Sequence, residues 1–127
     1  MKLVILITSN VENGLEVARR WQAAGAPGVT LIKSVGLYSL QQIIDEQHIE
    51  LPMHSGRSMN SLMAHVLRGM EHTNHVILSV MSKEQVPTML EEARAVMGDM
   101  TQPRHGVAFV VPLDEAIGVR QPESGDP

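Results

Sequence analysis

Apolar runs and amphipathic runs alternate along this chain in an order that occurs twice. MKLVILIT at the N-terminus, a helical run beginning at Ser9 and VTLIKSV over 29–35 predict a strand, a helix and a strand. HVILSVM, a helical run beginning at Ser82 and GVAFVVP over 106–112 repeat that order. Two such βαβ units sharing one sheet predict an α+β fold, a ferredoxin-like βαββαβ sandwich of four strands backed by two helices. Ser9 with Glu12, and Ser82 with Gln85, have the spacing of a capping box at the two helix starts. Gly25 and Gly98 follow the last periodic residues, where a left-handed C′ position favours glycine. Gly14, Val17, Ala18, Trp21 and Ala24 share one face of the first helix; Val86, Leu90, Ala93 and Met97 share one face of the second. Pro87, early in its helix, predicts a tighter or bent first turn.

The connection between the halves runs to roughly forty residues, too long for a structureless loop, and predicts helices of its own over 37–74. Met59, Leu62, Met63, Val66, Leu67 and Met70 fall on one helical stripe within 57–70, with Asn60, Ser61, Ala64, His65 and Arg68 facing outward. Such a stripe packs on the domain or on a neighbouring subunit, or serves as an adaptable groove for a partner, because thioethers repack easily. Ser39 and Gln42, followed by Ile43 and Ile44, predict a short helix before it. Residues 48–57 predict an exposed loop and 121–127 a flexible polar tail. The expected organisation is therefore one domain over 1–120, with 37–74 as a helical insertion.

Composition narrows the function classes. A chain of 127 residues has room for one core without metal or disulfide staples, and the absence of cysteine excludes thiol catalysis and cysteine-held zinc. It also suits a reducing, cytoplasmic setting. The first apolar run stops at Ser9, short of a signal sequence, and no apolar stretch is long enough to insert in a membrane. A net charge of -4 and one each of Trp, Tyr and Phe argue against nucleic acid as a partner. The His65, His72 and His75 spacing completes no recognisable metal set, so no metal site is expected. No Walker loop, GxGxxG or GxSxG sequence points to catalysis, and the expectation is a non-enzyme.

Two segments carry a resemblance. Gly25-Ala26-Pro27-Gly28-Val29-Thr30-Leu31 with Val35-Gly36, and Phe109-Val110-Val111-Pro112-Leu113-Asp114-Glu115-Ala116-Ile117 with Val119-Arg120, resemble PII-type nitrogen-regulatory proteins. The second segment is similar to that family's IFVxPVEEAIxIR stretch. The likeness covers both strand–helix–strand halves and leaves out the middle. It implies a homotrimer of ferredoxin-like subunits that senses a small molecule at intersubunit clefts and regulates a partner protein in signalling, with 37–74 in place of the family's T-loop.

By the same resemblance the candidate ligand residues are Thr30, Gly36, Arg104, His105, Gly106 and Arg120, with ATP or ADP as the implied effector. The chain departs from the family at its cations. Arg104-His105-Gly106-Val107 stands where the family has a Gly-Asp-Gly-Lys phosphate cradle. Gly118 stands at the first of two phosphate-binding arginines, leaving Arg120 as the second, and Leu40 replaces the glutamine at the T-loop base. At about 1.5–3 kcal/mol per charged hydrogen bond, these losses weaken triphosphate binding, with Arg104 or Lys33 left to compensate. Tyr38, the one tyrosine, is expected at the base of the loop rather than at an exposed tip, which argues against uridylylation of the family kind. A protein-interaction module without a small ligand and a metal-responsive protein resembling the CutA family, which has the same fold, are the alternatives.

Overall fold

The computed structural model describes residues 1–46, 59–69, 74–100 and 106–119. Strand β1 (Lys2–Thr8), helix α1 (Val11–Ala23) and strand β2 (Thr30–Ser34) are followed by helices α2 (Leu37–Glu46) and α3 (Met59–Gly69). Strand β3 (Asn74–Met81), a 3₁₀ turn over Lys83–Gln85, helix α4 (Val86–Met97) and strand β4 (Val107–Pro112) complete the order. One four-stranded sheet has the spatial order β2-β3-β1-β4. β1 pairs antiparallel with β3, Leu6 opposite Ile77, and with β4, Ile5 opposite Phe109. The architecture is α+β and compatible with a ferredoxin-like fold.

The chain divides into two compact units, residues 1–33 with 74–127, and residues 34–73. In the first, period-2 alternation puts Val4, Leu6 and Thr8 of β1 and His75, Ile77, Ser79 and Met81 of β3 on the buried face. Val17 and Trp21 of α1, with Met89 and Ala93 of α4, close the core over that face. The Trp21 indole N–H donates to the Met89 carbonyl at 2.8 Å, satisfying the polar atom that burial of a tryptophan brings with it. Arg20 ties the two helices at their rim, donating to Glu16 and Glu92 at 3.2 Å each. These hydrogen bonds, Glu16 first and Glu92 second, raise the arginine's pKa.

The second unit has its own small core. Leu40 and Ile44 of α2 meet Leu62 of α3, with Val35, Met63 and Val66 packed around them.

Several local expectations need correction. The N-cap of α1 is Asn10, whose side chain accepts the Asn13 N–H at 3.0 Å, and not Ser9. The Thr8 hydroxyl accepts the Asn10 N–H at 3.2 Å, so the end of β1 sets where the helix begins. Helix α2 starts at Leu37, ahead of Ser39, with the Leu40 N–H bonded to the Gly36 carbonyl at 3.0 Å. Ala24 is exposed, whereas Met89, outside the predicted stripe, is fully buried. On α3, Met59 and Leu67 are exposed although the predicted apolar stripe included them. Tyr38 is 68% exposed on α2, its hydroxyl accepting from the Gln42 amide at 3.1 Å, so the chain does not shield it.

Other local expectations match. Gly25, at φ 99°, ends α1 with the paired bonds of a Schellman motif, Ala26 N–H to Trp21 O and Gly25 N–H to Gln22 O. The Gln85 side chain accepts the Ser82 N–H at 3.0 Å, and the tight turn ahead of Pro87 is the 3₁₀ segment. The loop expected over 48–57 and the tail expected over 121–127 lie outside the described residues.

Candidate functional site

β2 and β4 are the two edges of the sheet, and the candidate residues divide between them. Thr30 opens β2 and lines a cleft of about 590 Å³ with Gly28, Ser79, Gly118 and Val119. Leu3, Leu78 and Val80 supply apolar floor to this cleft. Reaching it requires the chain after β4 to cross from one sheet edge to the other. The crossing begins where the Leu113 N–H bonds the Met1 carbonyl at 3.1 Å, and it brings Gly118 and Val119 to Thr30. The buried Ser79 hydroxyl donates to the Gly28 carbonyl at 2.6 Å, which fixes the backbone leading into Thr30. Gln22, Thr30 and Ser79 are the polar side chains of the described lining, and none of that lining is charged. Such a surface suits an uncharged group with polar edges more than a phosphate.

Gly106 lies at the other edge, in a smaller cleft of about 340 Å³ with Leu90, Arg94, Asp99 and Met100. Its backbone has φ +113°, and a Cβ added there would lie 2.9 Å from Met97 Cε and 3.1 Å from the Ile7 carbonyl oxygen. The positive φ and the close packing against Met97 and β1 account for this glycine without a ligand. Val107 is the exposed first residue of β4. Gly36 belongs to the second unit, where it serves the start of α2. Arg104, His105 and Arg120 lie outside the described residues. Among the described residues, then, Thr30 and Gly106 do not share a cleft, and the structure joins Thr30 with Gly118.

From the local sequence Gly118 carries no signal beyond the absence of a charged side chain. Its φ of +82°, with nothing within 4 Å of an added Cβ, shows a backbone conformation that disfavours any L side chain. Ser79 carries one local signal, a serine within an apolar strand, and Gly28 stands within the resembling segment over 25–31. His75 is buried at the start of β3, and among the described residues its Nδ1 has no hydrogen-bond partner.

A second feature is the face of the sheet turned away from α1 and α4. Leu3, Ile5 and Ile7 of β1 lie opposite Val80, Leu78 and Val76 of β3 on that face. Val111, Phe109 and Val107 of β4 continue the row beyond β1. The β4 residues are all exposed, and the described helices of this unit pack on the opposite face. No charged side chain interrupts these rows. Among the described residues, no helix is long and apolar enough to cross a membrane. No protein-family model matches the chain, and no curated protein matches it in sequence.

Proposed function

We propose that this chain is a non-enzymatic regulatory protein of the PII-like kind, a ferredoxin-like βαββαβ sandwich assembled as a homotrimer. In this reading it senses a small molecule at clefts between subunits and signals to a partner protein through the helices that stand in place of the T-loop. The observation that carries the assembly is the apolar face of the sheet turned away from α1 and α4, with Phe109 and Val111 exposed along it. A face of that kind on a single chain loses hydrophobic free energy to water and gains it back against copies of itself. The placement of the site residues supports shared clefts. Thr30 and Gly106 stand on opposite sheet edges, so one ligand touches both only where the β2 edge of one copy meets the β4 edge of the next.

The uncharged cleft at Thr30 and Val119 takes the base end of a nucleotide such as ATP or ADP. Arg120, directly after Val119, and Arg104, two residues before Gly106, are the cations assigned to its phosphates. Exposed Leu37, Tyr38, Met59 and Leu67 in the second unit favour that unit as the partner-contacting part, and the same side chains would serve an interaction module that binds no small ligand.

Light scattering joined to calorimetry tests the reading. The expected result is the mass of three chains at micromolar concentration, with heat on adding ADP or ATP. Thr30→Val should weaken the nucleotide about tenfold, the equivalent of one hydrogen bond, and Val107→Lys should tighten it by restoring a cation beside Gly106. A monomer removes the intersubunit cleft. A trimer indifferent to nucleotides, 2-oxoglutarate, bicarbonate and divalent cations leaves the interaction module as the function.

A further inference from the structure

The chain has 9 methionines and no cysteine, so no thiol stands between a two-electron oxidant and the thioethers. The folded protein protects those thioethers unequally. Met81 and Met89 are 0% exposed in the core of the first unit, and Met97 and Met100 are half-buried against it. Met59, the first residue of α3, is 54% exposed. Met63 follows one turn later on the same helix, half-buried against Leu40, Ile44 and Leu62. Met1 is also exposed, but its structural bond is through its carbonyl, which sulfur chemistry leaves alone.

We propose that Met59 and Met63 form a sulfoxidation site through which peroxide or hypohalous acid loosens the α2–α3 pair while the sheet unit stays folded. With hydrogen peroxide, a sulfur lone pair attacks one oxygen; the S–O bond forms as the O–O bond breaks. The sulfur is oxidised by two electrons, and the other peroxide oxygen leaves as water after proton transfer. Met63 is where the new dipole has consequences, because the sulfoxide oxygen must then lie against aliphatic side chains or swing out and abandon them. Among the described residues the buried cluster of the second unit is Leu40, Ile44 and Leu62, and helices of 10 and 11 residues are too short to persist without their packing. Exposed Met59 is the first point of attack, and the fraying it brings to the first turn of α3 opens the way to Met63. The ligand cleft plays no part in this response, which requires no nucleotide.

The experiment treats the full chain with graded hydrogen peroxide or hypochlorite and reads each methionine by peptide mass spectrometry. Hydrogen exchange over 37–46 and 59–69 and the emission of Trp21, the one tryptophan, are followed in parallel. Met59 should oxidise with Met1, then Met63, while Met81 and Met89 stay reduced. Exchange within α2 and α3 should rise tenfold or more with Trp21 emission unchanged, and a methionine sulfoxide reductase should restore the slow exchange. Met63→Leu, close in volume, should keep the helices packed and remove the response. The proposal is overturned if Met63 stays reduced once Met59 is fully oxidised, if exchange is unaltered with both sulfoxides in place, if Met81 and Met89 oxidise in step with Met59, or if the reductase-treated protein does not recover.

Discussion

Gly106 and His75 show how much single positions in this core depend on neighbours far away in the chain. At Gly106 the positive φ and the contacts to Met97 and the Ile7 carbonyl act together, so Gly106→Ala should destabilise by about 1–3 kcal/mol, read as a lower urea midpoint at unchanged slope. At Gly25 the φ is also positive, but the nearest atom to an added Cβ is the Gln85 amide nitrogen at 4.0 Å. Gly25→Ala should therefore cost less than Gly106→Ala in the same assay. His75 presents the opposite case, a buried polar atom with no partner among the described residues. Replacing an unpaired buried polar group with an apolar one is close to neutral or stabilising. His75→Leu should leave the melting temperature unchanged or raise it, and a fall of several degrees would reveal a bond to the imidazole. Arg20 carries its raised pKa through hydrogen bonds to Glu16 and Glu92. A raised arginine pKa contributes stability at every pH below the ordinary arginine value and loses it only above the raised one, so it adds no pH dependence near neutrality.

At the scale of elements, caps and turns decide where helices start, and two neighbouring residues compete for the start of α1. Asn10→Ala should cost about 1 kcal/mol, the usual loss on removing an N-cap side chain, whereas Ser9→Ala should be nearly silent in thermal denaturation. The reverse ranking would return the cap to the serine. At the start of α4 the sequence signal holds more closely. The Gln85 side chain accepts from Ser82 N–H and donates to the Gly25 carbonyl at 3.0 Å, which links the start of one helix to the end of the other.

For the whole molecule, the sheet face turned away from α1 and α4 and the two edge strands have the largest consequence. Phe109→Asp places a charge in the apolar row opposite Ile5, where self-association would bury it unpaired. Within one chain that side chain is exposed, so the core of Val4, Trp21 and Ile77 is unaffected. The expected outcome is a fall in solution mass to that of one chain, with Trp21 emission retained. An unchanged mass would mean that copies meet elsewhere, at the β2 or β4 edge.

Local sequence determined the strands and helices of the two halves, since the short apolar runs of β1 and β3 and the 3.6-residue stripes of α1 and α4 are local properties of the chain. It determined the glycine stops at 25 and 98 for the same reason. Long-range packing decided the rest. The apolar run from Val107 to Val111 has no alternation, so only its register with β1 shows that Phe109 lies on the face turned away from α1 and α4 and Val110 on the other. Asn10 prevails over Ser9 because the Thr8 hydroxyl at the end of β1 holds its N–H. The cleft at Thr30 was legible only as one candidate threonine. Gly118 and Val119 reach it by crossing the sheet end after β4, and such a crossing is set by where edges lie in space, which no local pattern encodes.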